Sequence, residues 1–274
     1  MNMIAALLEQ RAGQQIAANR AWRIETALKP LLRTRGLKTL DELVAQLIAS
    51  RTGELGDQVV DALLNQETSF FRDAAVLDMV AEAARALQAA NPDRRLRIWS
   101  AGCSTGQEPL SLAMLLAEKG MMDGALAPEI VATDISPAAL SRARAGRYSQ
   151  FEIQRGLPVR RMMQWFDSTG GDWVAKPELV RRIQFRQHNL TADCAPPGRF
   201  DMILCRNVML YFSTAVRRQV FDILSSAVRP GALLVLGAGE TVIDLTEHFS
   251  PSPAFRGFYA AAQPDAPPLA TGTH

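Results

Sequence analysis

Ile98-Trp99-Ser100-Ala101-Gly102-Cys103-Ser104-Thr105-Gly106-Gln107-Glu108-Pro109 is the stretch on which the fold turns. An apolar strand runs into a loop of small residues, and an apolar helix follows from Leu110 to Ala117. Glycines at 102 and 106 let the backbone turn tightly and approach a ligand closely. The helix start that follows offers unpaired N–H groups to a negative group, and an open α/β sheet binds its ligand at such a place. The loop is neither a G-x-G-x-x-G pyrophosphate cradle nor a Walker A loop, since no Gly-Lys-Ser/Thr follows. Glu108 sits badly against a diphosphate but well against an ammonium or a ribose hydroxyl. S-adenosylmethionine has an amino-acid end, a ribose and no phosphate, so the loop reads as a methyl-donor site.

The alternation around this stretch extends the reading. Strands are expected at Arg97–Gly102, Ile130–Ile135, Ile183–Asn189, Phe200–Asn207 and Ala232–Glu240, with helices between most of them. That order predicts a doubly wound, mostly parallel sheet with crossover helices. Ser136-Pro137 is a cap followed by proline at the first helical position, and Phe255 to Ala262 offers a late strand. About 158–182 the alternation is interrupted by a short helical piece, a Thr169-Gly170-Gly171-Asp172 turn and Trp173-Val174-Ala175, read as a small hairpin-like β insert.

The first seventy or so residues read as entirely helical, with Ile24, Leu28, Leu31 and Leu32 at helical spacing. Gly36 is a natural C-terminal stop, Thr39 with Glu42 makes a capping box, and Pro30 predicts a kink or a new first turn. Arg11, Arg20, Arg23, Lys29, Arg33, Arg35 and Lys38 face one acid, Glu25, in this span. Such a run is either a solvated helix face or a docking face for an acidic partner. The chain thus divides into a helical domain (1–72), an α/β domain (73–262) and a Pro/Ala/Gly/Thr-rich tail (263–274) expected to be disordered.

Bulk properties agree with an ordinary globular chain: 274 residues, 48% hydrophobic, 21% charged. A net charge of +2 implies no general attraction to nucleic acid or membrane. Cys103, Cys194 and Cys205 lie far apart without metal spacing, which suits a reducing cytosol. No signal peptide is expected at the start, and no apolar run approaches the ~20 residues of a membrane helix.

Several residues carry candidate chemistry. Asp134, closing the second strand, either accepts ribose hydroxyls or caps the helix near Ser136. Asn189-Leu190 and Arg206-Asn207 end the next two strands, where amides either bond a ligand's edge or shape turns. Phe70 and Phe71 either close over a cofactor or fill a core, while Arg72 has the fork geometry for a carboxylate. Tyr211 either lines a reaction pocket or packs. His188 and His248 are too sparse for a histidine metal site or triad.

Taken together, these segments resemble the chemotaxis receptor methyltransferase (CheR-like) family over nearly the whole chain. The resemblance rests on Thr68-Ser69-Phe70-Phe71-Arg72, on the Trp99–Pro109 loop, on Ala132-Thr133-Asp134-Ile135-Ser136, and on Cys205-Arg206-Asn207-Val208-Met209-Leu210-Tyr211-Phe212. It implies a class I methyltransferase fold and methyl transfer from S-adenosylmethionine to receptor glutamates in the cytoplasm, giving methyl esters. It places Gln66, Thr68, Arg72, Gly102, Glu108, Asp134, Asn189, Leu190, Arg206 and Asn207 at the cofactor, with Arg72 and Tyr211 near the transferred methyl. It also implies a receptor partner for the basic helical face, Arg20, Arg23, Lys29, Arg33 and Arg35. Gln66 departs from the family by standing where asparagine is usual.

Overall fold

The computed structural model describes residues 2–16, 22–50 and 53–262. Arg20 and the 263–274 tail lie outside the described residues.

Helices α1 (Asn2–Ala12), α2 (Trp22–Thr34), α3 (Leu40–Ala49) and α4 (Glu54–Leu63) open the chain. Their apolar faces close a small core of their own, built on Ile4, Leu8, Ile24, Leu28, Leu43 and Val59. Gly36 ends α2 at φ +67°, with the Leu37 N–H on the Leu32 carbonyl, the left-handed termination that glycine favours. The Thr39 hydroxyl caps α3 through Glu42 N, while the Glu42 carboxylate takes the N–H of Lys38 rather than that of Thr39. Pro30 does not restart the helix: α2 runs through it as one element. One stretch of this region is not helical, because Gln14 makes an isolated antiparallel bridge to Phe212.

After α5 (Ala74–Ala90) come β1 (Arg97–Ala101), α6 (Gln107–Glu118), β2 (Glu129–Asp134) and α7 (Pro137–Ala145). Next are β3 (Arg147–Ser149), α8 (Gln150–Gln154), α9 (Val159–Trp165), β4 (Phe166–Thr169), β5 (Asp172–Ala175) and α10 (Pro177–Val180). The chain continues through β6 (Ile183–Gln187), β7 (Phe200–Cys205), α11 (Thr214–Ser226), β8 (Val228–Leu236), β9 (Phe249–Pro251) and β10 (Tyr259–Ala261). The main sheet has seven strands in the order β6-β2-β1-β7-β8-β10-β9. Its first five strands pair in parallel, and β10 and β9 add antiparallel pairs.

Residues alternate between the two faces, as the strand period requires. Ile98, Ile130, Met202, Leu204, Leu233 and Val235 enter the core shared with α5, α6 and the insert. Trp99, Val131, Cys205, Leu234 and Leu236 enter the core under α11. Burial on both faces explains why these strands read as nearly continuous apolar runs.

Three sequence expectations change. The β insert is a three-stranded sheet, β3-β5-β4, so its first strand lies before the expected 158–182 span. The hairpin borrows Arg147–Ser149 because two strands alone are marginal. The strand expected at Ala232–Glu240 is Val228–Leu236, and Gly237 to Glu240 leave the sheet. The strand expected to reach Asn189 stops at Gln187, because Asn189 forms a local turn.

Candidate active site at the sheet switch point

Strand order reverses between β1 and β7, so the loops after them diverge and leave a crevice at the strands' C-terminal ends. Gly102, Asp134, His188 to Leu190 and Arg206-Asn207 all lie there. Counting its open mouth, the cleft holds about 900 Å³. The glycine at 102 has φ +76°, and a Cβ there would stand 2.5 Å from Val208 Cγ2. A side chain is thus barred twice, by conformation and by space.

Asp134 ties the first two loops together. One carboxylate oxygen accepts the Ser104 N–H at 2.7 Å and the other accepts the Ser136 N–H at 2.9 Å. The Gln66 side chain also acts on this carboxylate as a hydrogen-bond partner. Burial raises the carboxyl above its ordinary range, opposed by the two backbone N–H groups, and Asp61 adds a smaller push upward. Asp134 thus serves the local turn and still lines the cleft.

A second charged unit sits on the β1–β7 side. The Arg206 side chain is 1% exposed. It donates to Glu108 at 3.0 Å, to Asp73 at 2.7 Å and to the Arg72 carbonyl at 2.9 Å. The Ser100 hydroxyl donates to the other Glu108 oxygen at 2.8 Å. Glu108 is therefore anchored by the chain before any ligand arrives. Asn207 adopts φ +60°, its N–H held by Glu240 at 2.8 Å, and its Oδ1 is buried without a partner. The same Glu240 oxygen accepts Gly237 N–H at 2.7 Å. Glu240 was missed in the sequence because it was counted as strand.

The helical region supplies the opposite wall. Ala12, Gln14, Leu64 and Asn65 line the cleft, the first two flanking the glycine at 13, which ends α1 at φ +69°. The Gln15 N–H donates to the Tyr211 carbonyl at 2.8 Å, and the Asn65 amide donates to the Tyr211 phenol. The Asn189 side chain is occupied: its Nδ2 donates to the Arg11 carbonyl at 2.7 Å and its Oδ1 accepts from Thr191 N–H and Oγ. Its amide therefore clamps the N-terminal segment rather than facing a ligand, and Leu190 lies beside it in the wall.

Thr68, Gln66 and Arg72 line the cleft. Gln66 accepts the Ser104 hydroxyl at 2.8 Å. The Arg72 guanidinium makes one long bond, 3.4 Å to the Glu67 carbonyl, and no ion pair among the described residues. Phe70 and Phe71 do not close over the cleft. Phe70 is in the core, edge-on to Tyr148 and Phe166, and Phe71 is covered by Arg161, 4.3 Å from its centroid. The Cys103 thiol is buried and pushed well above its ordinary range by desolvation, so it is not a nucleophile.

Residues 66–258 match the CheR methyltransferase family's SAM binding domain. The chain belongs to the CheR methyltransferase family. It is 38% identical to chemotaxis protein methyltransferase 1 of Pseudomonas aeruginosa, covering 90% of this chain and 92% of that one. It is 36% identical to chemotaxis protein methyltransferase Cher2 of Pseudomonas putida (88% and 90%) and 36% identical to a chemotaxis protein methyltransferase of Vibrio parahaemolyticus (88% and 89%). A glycopeptide N-methyltransferase solved with S-adenosylmethionine, MtfA, is 16% identical over 57% of this chain and 48% of its own, with a TM-score of 0.33.

For a CheR methyltransferase the cofactor is S-adenosylmethionine, and the residues present suit it. The charged residues lining the cleft are Glu67, Glu108 and Asp134 against Arg72 and Arg206, three acids to two bases. Arg206 is already neutralised by Glu108 and Asp73. With Arg206 so occupied, Arg72 is left as the unpaired cation of the lining among the described residues, which is too little positive charge for a polyphosphate. The orphaned Asn207 Oδ1 is a buried acceptor awaiting a donor. Asp134 and Asn207 would take the cofactor's hydroxyl or ammonium hydrogens.

Proposed function

We propose that this CheR methyltransferase transfers methyl groups to glutamate side chains on the cytoplasmic signalling domain of chemoreceptors, giving glutamate methyl esters, and that it works in the cytoplasm. The observation that carries this reading is the contrast between the two arginines of the cleft. Arg206 is buried and ion-paired to both Asp73 and Glu108, whereas Arg72 makes no ion pair among the described residues and has donors to spare beside the cleft. A free fork of N–H donors suits an incoming carboxylate.

The chemistry asks little of the protein beyond placement. Bound S-adenosylmethionine supplies a methyl group on sulfur; a carboxylate oxygen takes it in line and the C–S electron pair stays on sulfur. A glutamate with a reference pKa of about 4.3 is already ionised near neutrality, so no general base is required. Arg72 orients the carboxylate, and the Tyr211 phenol, fixed by Asn65, lines the same cleft. The hold on the carboxylate must be modest, because its charge is lost in the reaction. Two reactants held in line account for most of the gain.

The receptor face is proposed on α2 and its end. Lys29, Arg33, Arg35 and Lys38 are exposed, Arg23 is half-buried, and none of the five makes an ion pair among the described residues. A receptor bundle rich in methylatable glutamates complements them. The test is to incubate the protein with radiolabelled S-adenosylmethionine and receptor signalling domains. Label released as methanol by alkali identifies an ester; alkali-stable label, or none, refutes the reading.

A further inference from the structure

Of the buried side-chain atoms without a partner among the described residues, three belong to residues lining the cleft: Arg206 Nε, Asn207 Oδ1 and His188 Nδ1. The first two sit on segments already assigned to the cofactor. His188 has no assigned task.

The surroundings of His188 fix its hydrogen-bond character. It is 7% exposed and follows β6, and its backbone N–H donates to the Asp134 carbonyl at 3.0 Å. Its Nε2 lies 3.0 Å from the Cys194 carbonyl. A carbonyl oxygen only accepts, so the neutral ring carries its proton on Nε2 and presents a bare lone pair at Nδ1. The Trp99 ring stands edge-on to the imidazole, 5.5 Å between centroids, and limits its rotation. The result is a fixed, desolvated acceptor with nothing in the chain to fill it. A buried acceptor of this kind is costly unless a ligand supplies the donor.

The position narrows which donor. His188 is bound through its backbone to the end of β2, on the Asp134 side of the switch point. His188 follows β6, two strands out from β1, whereas Glu108 and Arg206 follow β1 and β7, the two strands that flank the switch point. The amino-acid end of the cofactor and its base lie at opposite ends of the ribose. With Asp134 taking the ribose, a residue beyond it and away from Glu108 meets the base. Adenine offers one strong donor there, its exocyclic amine. We propose that His188 Nδ1 accepts that amine and is a purine-selecting residue of this enzyme. The inference rests on the family's cofactor and not on the identity of the methyl acceptor.

The test compares two ligands by calorimetry: S-adenosylhomocysteine, and S-inosylhomocysteine, in which an oxo group replaces the amine. His188→Leu is expected to weaken S-adenosylhomocysteine about 3- to 10-fold, one neutral hydrogen bond's worth. Binding of the inosyl ligand, which sets oxygen against the lone pair, should stay level or improve. The selectivity ratio therefore narrows at least threefold. An unchanged affinity for S-adenosylhomocysteine, or an equal loss for both ligands, overturns the proposal; the second result would mean packing alone. A readout on the unmutated protein covers the case in which His188→Leu does not fold. With nitrogen-15-labelled histidine, the bare Nδ1 resonance should move upfield on adding S-adenosylhomocysteine and stay put with the inosyl ligand. His188→Asn assigns that resonance among the three histidines. No movement with either ligand overturns the proposal.

Discussion

The sheet wall of the cleft and the basic face of the helical region hold their charges in opposite ways. On the sheet side, Arg206, Glu108, Asp73 and Asp134 are bound to each other or to backbone N–H groups at 2.7–3.0 Å. On the basic face, Lys29 and Arg33 of α2 and Arg35 just beyond it are exposed, and among the described residues Arg35 is the one with a polar partner, Gln58 at 2.8 Å. The sheet wall pre-orders its groups for a small molecule of fixed shape, so little ordering remains when the ligand arrives. The basic face keeps long, exposed side chains suited to meeting a large acidic surface. Substitutions on the sheet wall should therefore alter stability and cofactor affinity, and those on the basic face only the encounter with the acceptor.

The largest effect is expected at Arg206. Arg206→Ala leaves Glu108 without its cationic partner, and breaking a buried pair from one side costs about 3–5 kcal/mol. Urea unfolding monitored by circular dichroism measures it; a loss under about 1 kcal/mol would mean that the sheet wall is no more pre-ordered than the surface.

Arg72 lines the cleft and tests whether a residue there serves the cofactor or the acceptor. Arg72→Ala should lower turnover about 100-fold through misplaced carboxylate, with a much smaller loss of S-adenosylhomocysteine affinity. Equal losses would assign Arg72 to the cofactor alone. Tyr211→Phe refines the point: normal turnover would reduce the phenol to a wall.

Asp134→Ala should weaken S-adenosylhomocysteine by about 1.5–3 kcal/mol, read by calorimetry. The wild-type protein should show a matching pH dependence. Burial raises the Asp134 carboxyl, and the ionised form is the acceptor, so affinity falls on acidification through a range above the ordinary value of 3.8. The linkage to folding has the opposite sense: a raised carboxyl favours the folded state below its unfolded pKa, and that contribution is lost as pH rises through the raised value. Affinity that is flat until pH drops to the ordinary carboxylate range would remove Asp134 from the ribose.

The smallest effect per residue belongs to the basic face, where exposed pairs are worth about 0.2–1 kcal/mol each. Reversing Arg23, Arg33 and Arg35 together should raise KM for the receptor several-fold and flatten the salt dependence of turnover, with cofactor affinity intact. Normal kinetics across a salt series would make this face a solvated surface.

Local chemistry made much of the fold legible. The run from Ile98 through Gly102 to Leu110 announced a strand, a tight turn and a helix, because strand period, glycine freedom and helix starts are properties of neighbouring residues. Gly36 and Ser136-Pro137 marked helix ends for the same reason. Strand ends were overrun at Asn189 and Glu240, where polar side chains turn back on the backbone in ways that periodicity does not register.

The sequence by itself determined the parallel sheet, the small-residue loop and the acid that ends the second strand, since each depends on residues within a few positions of one another. Only the tertiary structure decided who partners whom. It placed Arg206 against Asp73, 133 positions away, and Asn189 against Arg11, 178 away. It sent Phe70 and Phe71 into the core, and it left His188 with a lone pair and no donor. Those outcomes rest on pairings across long loops, whose closure is settled by the packing of the whole chain rather than by any local preference.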